Sequence, residues 1–253
     1  MERVGEERTG EIVHRRLLIR PGAIGDVILS LPELEASRAD YTEVWAPRPV
    51  LSLIRFADRT RAIADTGLDL LGVVDNTNVP ELASFDSVYS WYGTNRPEFR
   101  AAVSHLPFTF FPALPIPRTA IPKIPLPAVP LADFAAIHPF SGSARKNWPL
   151  ENFRAVAAGL HVPVKWIAGP EDVLENAIRF SDLYDLACWL GSARVYIGND
   201  SGITHLAAAA GVPLVAIFLA TDPAVWAPRG ERAMVLENPT VSEVLDAAIR
   251  VIR

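Results

Sequence analysis

Eight prolines fall between positions 107 and 130 of this 253-residue chain, at 107, 112, 115, 117, 122, 125, 127 and 130. Proline fixes φ and has no N–H, so no helix or central strand survives that density. The stretch is expected to be extended, partly polyproline II, and stiff. It divides the chain into a front part, 1–106, and a back part, 131–253, with 107–130 as the linker. Length agrees, since at about 150 residues per domain the chain is nearer two domains than one.

Both parts alternate strand and helix patterns. In front, strands are expected over 16–20, 43–46, 61–64 and 87–92, with helices over 26–38, 50–57 and 97–105. Behind the linker, strands are expected over 134–138, 164–168, 195–198 and 214–219. Helices are expected from Pro149 to 160, over 173–180 and 182–190, over 201–210 closed by Gly211, and over 240–252. Strands separated by helix-length segments imply two parallel sheets with helices on both faces. Ligands of such sheets bind beyond the carboxyl ends of the strands, which here face a cleft between the two parts.

Composition narrows the function classes. A net charge of −5 and a pI of about 5.6 argue against a nucleic-acid binder held by phosphate contacts. One cysteine, Cys188, excludes an intramolecular disulfide framework and a Cys-based zinc site. No metal-binding motif is visible. The longest near-apolar run, 206–220, is too short for a membrane span and is broken by Gly211 and Pro213. The charged start, MERVGEERTGE, has no apolar core and reads as a frayed arm rather than a secretory signal. A cytoplasmic location is the default expectation.

Three clusters lie at expected strand ends. The first, Arg20-Pro21-Gly22-Ala23-Ile24-Gly25-Asp26, opens a helix. Its glycines permit a sharp turn and close approach to a ligand. Asp26 is either a carboxylate facing the cleft, able to accept a proton from a hydroxyl, or a helix N-cap. The second runs from His138 to Pro149. Ser141, Gly142 and Ser143 offer hydroxyls and open N–H groups suited to phosphate oxygens. Arg145 and Lys146 add positive charge, Lys146 being one of three lysines in the chain. The same loop is equally readable as a solvated turn, and His138 as a strand-end residue. The third, Gly198-Asn199-Asp200-Ser201-Gly202-Ile203-Thr204-His205, opens an Ala-rich helix whose small residues suit an anion. Asp200 alone reads as an N-cap, and His205 faces either the cleft or the core. Thr221-Asp222-Pro223 reads as a turn.

Taken in order, the segments LLIRPGAIGDVILSLPELEA, HPFSGSARKNWPLENFRAVAAGL and GNDSGITHLAAAAGVPLVAIFLATDPAVWAP resemble glycosyltransferase family 9, the ADP-heptose:lipopolysaccharide heptosyltransferases. The chain looks like a shortened member, with the shortage in the front half. Leu219 replaces a glycine of the Phe-Gly-Pro-Thr-Asp-Pro segment, and Leu29 stands where many members carry His.

The resemblance implies a GT-B fold, two Rossmann-like domains with the acceptor in front and the nucleotide sugar behind. It implies inverting, metal-independent transfer with no cofactor, from an ADP-sugar such as ADP-heptose to a glycan or lipid-linked glycan, with peripheral inner-membrane contact. Asp26 falls on the family's proposed base. Ser141, Gly142, Ser143 and Lys146 fall on its donor phosphate region, and Asp200, Ser201, Gly202 and His205 on its nucleotide-sugar signature. Glu171 falls near an acidic residue that holds the nucleoside. Two other readings stand beside this one: a non-catalytic nucleotide-sugar binder, and a GT-B-type sugar-nucleotide epimerase that needs no acceptor.

Overall fold

The computed structural model describes residues 13–74, 77–112, 120–128 and 130–252. The charged N-terminal stretch to position 12 and linker residues 113–119 lie outside them. The front part holds strands β1 (Arg15–Ile19), β2 (Tyr41–Ala46), β3 (Arg59–Ala62), β4 (Ser87–Ser90) and β5 (Phe108–Phe110), with helices α1 (Ile24–Ala36) and α2 (Pro97–Ala102). The back part holds β6 (Ala135–His138), β7 (Val164–Trp166), β8 (Val195–Asn199), β9 (Leu214–Phe218) and β10 (Ala233–Glu237). Its helices are α3 (Leu150–Gly159), α4 (Leu183–Gly191), α5 (Gly202–Ala209), α6 (Pro223–Trp226) and α7 (Val241–Val251). Each part has one five-stranded, all-parallel sheet, ordered β3-β2-β1-β4-β5 in front and β10-β9-β8-β6-β7 behind.

Alternation along the strands assigns side chains to faces. Leu18, Val44, Ala136, Tyr196 and Ala216 point into one apolar cluster, which α1, α4 and α5 cover and which spans both parts. Ala135, Ile137, Val195, Ile197 and Val215 point to the far side of the back sheet, under α3 and α7. Leu17, Ile19, Trp45 and Val88 point to the far side of the front sheet. That side is closed by α2 and by the turn-rich segment carrying Leu68, Leu71, Val79 and Leu82. Short 3₁₀ turns thus do in front what full helices do behind.

Four expectations need correction. Residues 173–180 form no helix. Ile178 instead pairs its backbone with Trp166 and Ala168, and Asn176 takes a positive φ of 58°. The Arg179 guanidinium donates to the carbonyls of Gly169 and Asp172, supplying partners that a helix would otherwise provide. Val173 is 90% exposed, so the apolar spacing there marks no buried face. The segment expected as a helix over 50–57 is a 3₁₀ turn, Arg48–Leu53, with Pro49 in its first turn.

In front, the sheet runs to Phe110, past the boundary at 106. β5 is a three-residue edge strand between Pro107 and Pro112, a position that flanking prolines permit. Further on, Ile124 donates its N–H to Ala209 O at 3.0 Å, and Pro125 O accepts from the Tyr184 hydroxyl at 3.0 Å. This part of the proline-rich stretch is strapped to the back part. The fourth correction is β10, an edge strand that was not expected.

Candidate active site

The front sheet delivers Asp26 at the carboxyl end of β1. Gly22, at φ +119°, turns the chain, and a side chain there would lie 2.9 Å from the Asp26 carboxylate. The N-cap of α1 is Ala23, not Asp26. Asp26 sits in the first helical turn, half-buried, and its Oδ2 accepts the Ala23 N–H at 2.8 Å. The carboxylate therefore caps its helix from within. Among the described residues no hydrogen bond uses Oδ1. An ionised carboxylate suits this position at a helix N-terminus, where the dipole is positive.

The back sheet delivers the other wall. β8 ends in Asn199, which is fully buried. Its amide donates to Pro139 O at 2.8 Å and accepts the Trp148 N–H at 3.0 Å, so it braces both ends of the loop after β6. Asn199 lies in the third sequence cluster, but a lone Asn gives no spacing signal for this bracing role. Within that loop the Ser141 hydroxyl lies 2.9 Å from Ser143 O and 2.7 Å from Asn147 Oδ1. Ser143 opens the 3₁₀ turn Ala144–Lys146. Around Gly142 there is nothing within 4 Å of where a side chain would sit.

Lys146 is not a free loop cation. Its ammonium lies 2.7 Å from Asp200 Oδ2, and the Thr221 hydroxyl donates to that same oxygen at 2.6 Å. Asp200 is almost fully buried, while Lys146 keeps 30% of its side chain exposed. Asp200 is not a helix cap either. Ser201 caps α5 by accepting from Thr204 N, which leaves the Asp200 carboxylate to hold Lys146. Asp222, in the expected turn, caps α6 through the Ala224 N–H.

The N-termini of α1 and α5 meet. A side chain on Gly25 would lie 2.7 Å from His205 Cδ2, and one on Gly202 would lie 2.7 Å from Ile24 Cβ. Two glycines thus permit the contact. It brings His205 close enough for Asp200 and Asp26 to favour its protonation. Burial outweighs them and lowers its pKa to about 4, so the ring is neutral near pH 7. His205 is buried on α5, and among the described residues its Nδ1 has no partner.

Beside this contact lies a cleft of about 650 Å³. Ser141, Gly142, Glu171, Ser201 and Gly202 line it, with Ile24 and Pro49 from the front part. His138 lines it too, at the end of β6, buried and neutral with its pKa lowered to about 4 by desolvation. Glu171 is exposed on the loop after β7. That loop is tied by Asp172, which accepts the Gly169 N–H at 2.7 Å, and by Arg179. Asp26, Ser143, Lys146, Asp200 and His205 do not line this cleft. The last three form a cluster beside it, with Asp26 near His205. Among the described residues no group of three or more His, Cys, Asp or Glu side chains could hold a metal ion. No described helix is long and apolar enough to cross a membrane.

The cleft can bind an anion at the N-terminus of α5, against Ser141 and Gly142 of the loop after β6; the Asp26 carboxylate lies outside its lining. Residues 126–246 match the sequence profile of glycosyltransferase family 9 (heptosyltransferase). No curated protein sequence matches the chain. Among solved structures, E. coli ADP-heptose LPS heptosyltransferase II superposes with a TM-score of 0.71 at 16% identity, covering 94% of this chain and 98% of that one. A family 9 glycosyltransferase from Veillonella parvula DSM 2008 gives 0.71 at 18% identity, covering 94% and 97%. E. coli heptosyltransferase WaaC with ADP gives 0.64 at 15% identity, covering 93% and 98%. The back half of this chain is thus similar to glycosyltransferase family 9, and the chain has the two-sheet, GT-B-like fold of these structures.

Proposed function

We propose that the chain is an inverting, metal-independent glycosyltransferase that moves heptose or a related sugar from an ADP-sugar to a hydroxyl of a glycan or lipopolysaccharide-core-like acceptor. The observation that carries this reading is the meeting of α1 and α5. It sets the Asp26 carboxylate of the front sheet near the back-sheet cluster of His205, Asp200 and Lys146. The front part provides the acceptor side and the back part the donor side, and the enzyme works in the cytoplasm. Solved relatives contain ADP and ADP-2-deoxy-2-fluoro heptose, which supports an ADP-sugar as donor.

In this reading the diphosphate lies against Ser141, Gly142, Ser143 and the start of α5 at Ser201 and Gly202. Lys146, oriented by Asp200, faces the leaving phosphate. Glu171 holds the nucleoside. As the bond to the diphosphate breaks, the helix N-terminus and Lys146 stabilise the charge on the leaving group without a metal. Asp26 takes the proton of the acceptor hydroxyl, which attacks the sugar from the face opposite the diphosphate and inverts it. General-base help of this kind is worth about a hundred- to ten-thousand-fold. Neutral His205 fills the space between the two walls without adding a competing cation.

The test is transfer from ADP-heptose to a panel of glycan and lipid-linked acceptors, followed by ADP release and product anomer, with and without excess EDTA. The reading expects an inverted product and an unchanged rate in EDTA. Loss of transfer in EDTA, restored by Mg²⁺ or Mn²⁺, contradicts metal independence. Tight donor binding with no acceptor turned over favours the non-catalytic binder. Change of the donor sugar without any acceptor favours the epimerase.

A further inference from the structure

We propose that Arg20 is a positioning residue for Asp26, holding the turn that aims the carboxylate. This rests on Asp26 being the base. Arg20 is the first residue beyond β1, and only 2% of it is exposed. A guanidinium is costly to bury unless its donors are used. Here they grip the base's own turn. Nε donates to Ser30 Oγ at 2.7 Å, Nη1 to Pro21 O at 3.0 Å and Nη2 to Asp26 O at 3.3 Å. The Ser30 hydroxyl in turn donates to Asp26 O at 2.7 Å.

Both ends of the segment 21–26, and the helical turn after it, are thus fastened to one planar group. That group is itself fixed to the sheet, because the Arg20 N–H donates to Trp45 O on β2 at 2.9 Å. The path runs from sheet to Arg20 to the Asp26 backbone. The Asp26 side chain then has its remaining freedom limited by the bond from Ala23 N to Oδ2. Lysine cannot replace this fork, because its ammonium is a point charge on a flexible stem.

The experiment separates positioning from ordinary structural support. Ser30→Ala and Arg20→Lys are each made alone and in an Asp26→Asn background. Steady-state transfer and calorimetric ADP titration are measured for all. Each single variant is expected to lower kcat about 10-fold, as a displaced reacting group does, with KM for the donor and ADP affinity within about 2-fold. In the Asp26→Asn background the same change is expected to move the residual rate by less than about 2-fold, because residues acting as a unit are not additive. An equal loss in both backgrounds, or an unchanged kcat in a folded variant, overturns the proposal. If Arg20→Lys fails to fold, Ser30→Ala decides alone, since alanine is favoured inside a helix. If Asp26→Asn keeps full transfer, the base assignment itself fails, a result distinct from additivity.

Discussion

Lys146 shows how a residue read correctly as to place can differ in circumstance. The loop after β6 was legible from its small residues and its lysine, but the partner of that lysine was not. Asp200 lies 54 positions away, and only the pairing of β6 with β8 brings the two loops together. Lys146→Ala therefore does two things. In the proposed donor site it removes a charged contact to phosphate, and ADP binding should weaken by about 1.5–3 kcal/mol. It also leaves the buried Asp200 with Thr221 alone, which lowers stability by about 1–2 kcal/mol after allowance for the partial exposure of the lysine. Calorimetry and urea unfolding of the same variant read the two effects. Unchanged ADP affinity in a folded variant would remove Lys146 from the donor site. His138 and His205 make a second, pH-dependent prediction. Burial lowers both from 6.5 to about 4, so between those values the unfolded chain binds more protons than the folded one. Their contribution is full above pH 6.5 and is lost as pH falls toward 4. The urea midpoint should fall across that window, and His205→Gln should flatten the fall. A midpoint flat from pH 7 to 4.5 would contradict the buried, neutral assignment.

At the scale of elements, strand periodicity and glycine turns carried most of the information. β1, β6, β8 and β9 were legible because fully buried parallel strands read as short apolar runs; the expected last helix, α7, is closed at its start by a Thr240–Glu243 capping box. Residues 173–180 were misread because apolar spacing alone cannot see that Arg179 occupies the carbonyls of the loop before it. β5 escaped because three residues flanked by prolines are too short to read, whereas β10, Ala233–Glu237, carries an apolar run that was missed. The contact of α1 with α5 was not legible at all, since no spacing within one segment encodes it. Gly25 and Gly202 were visible only as small residues near a turn. Gly25→Ala tests the contact. Its new methyl would lie 2.7 Å from a buried imidazole, and overpacking of this kind costs about 1–3 kcal/mol. Thermal unfolding should fall and transfer with it, whereas Gly142→Ala, with open space around it, should leave the fold unchanged. Equal melting temperatures for the two variants would mean that the helices are not pressed together there.

Across the whole molecule, the two sheets share one apolar cluster, so the front and back parts are joined by packing as well as by the linker. The two-sheet organisation was legible as a proline-dense stretch between two strand–helix series. The way residues 124–125 strap onto α4 and α5 was not, because proline spacing says nothing of what lies beneath it. In the proposed enzyme the back part binds the donor and the front part supplies the base, so one substitution should separate binding from chemistry. Asp26→Asn keeps the size of the side chain and an oxygen to accept the Ala23 N–H. Its stability should therefore change by well under the roughly 1 kcal/mol of a lost cap. Asparagine cannot take a proton, so transfer from ADP-heptose should fall about a hundred-fold or more while ADP affinity stays within about 2-fold. A folded Asp26→Asn variant that transfers at near the full rate would contradict the account, leaving Asp26 as a cap alone.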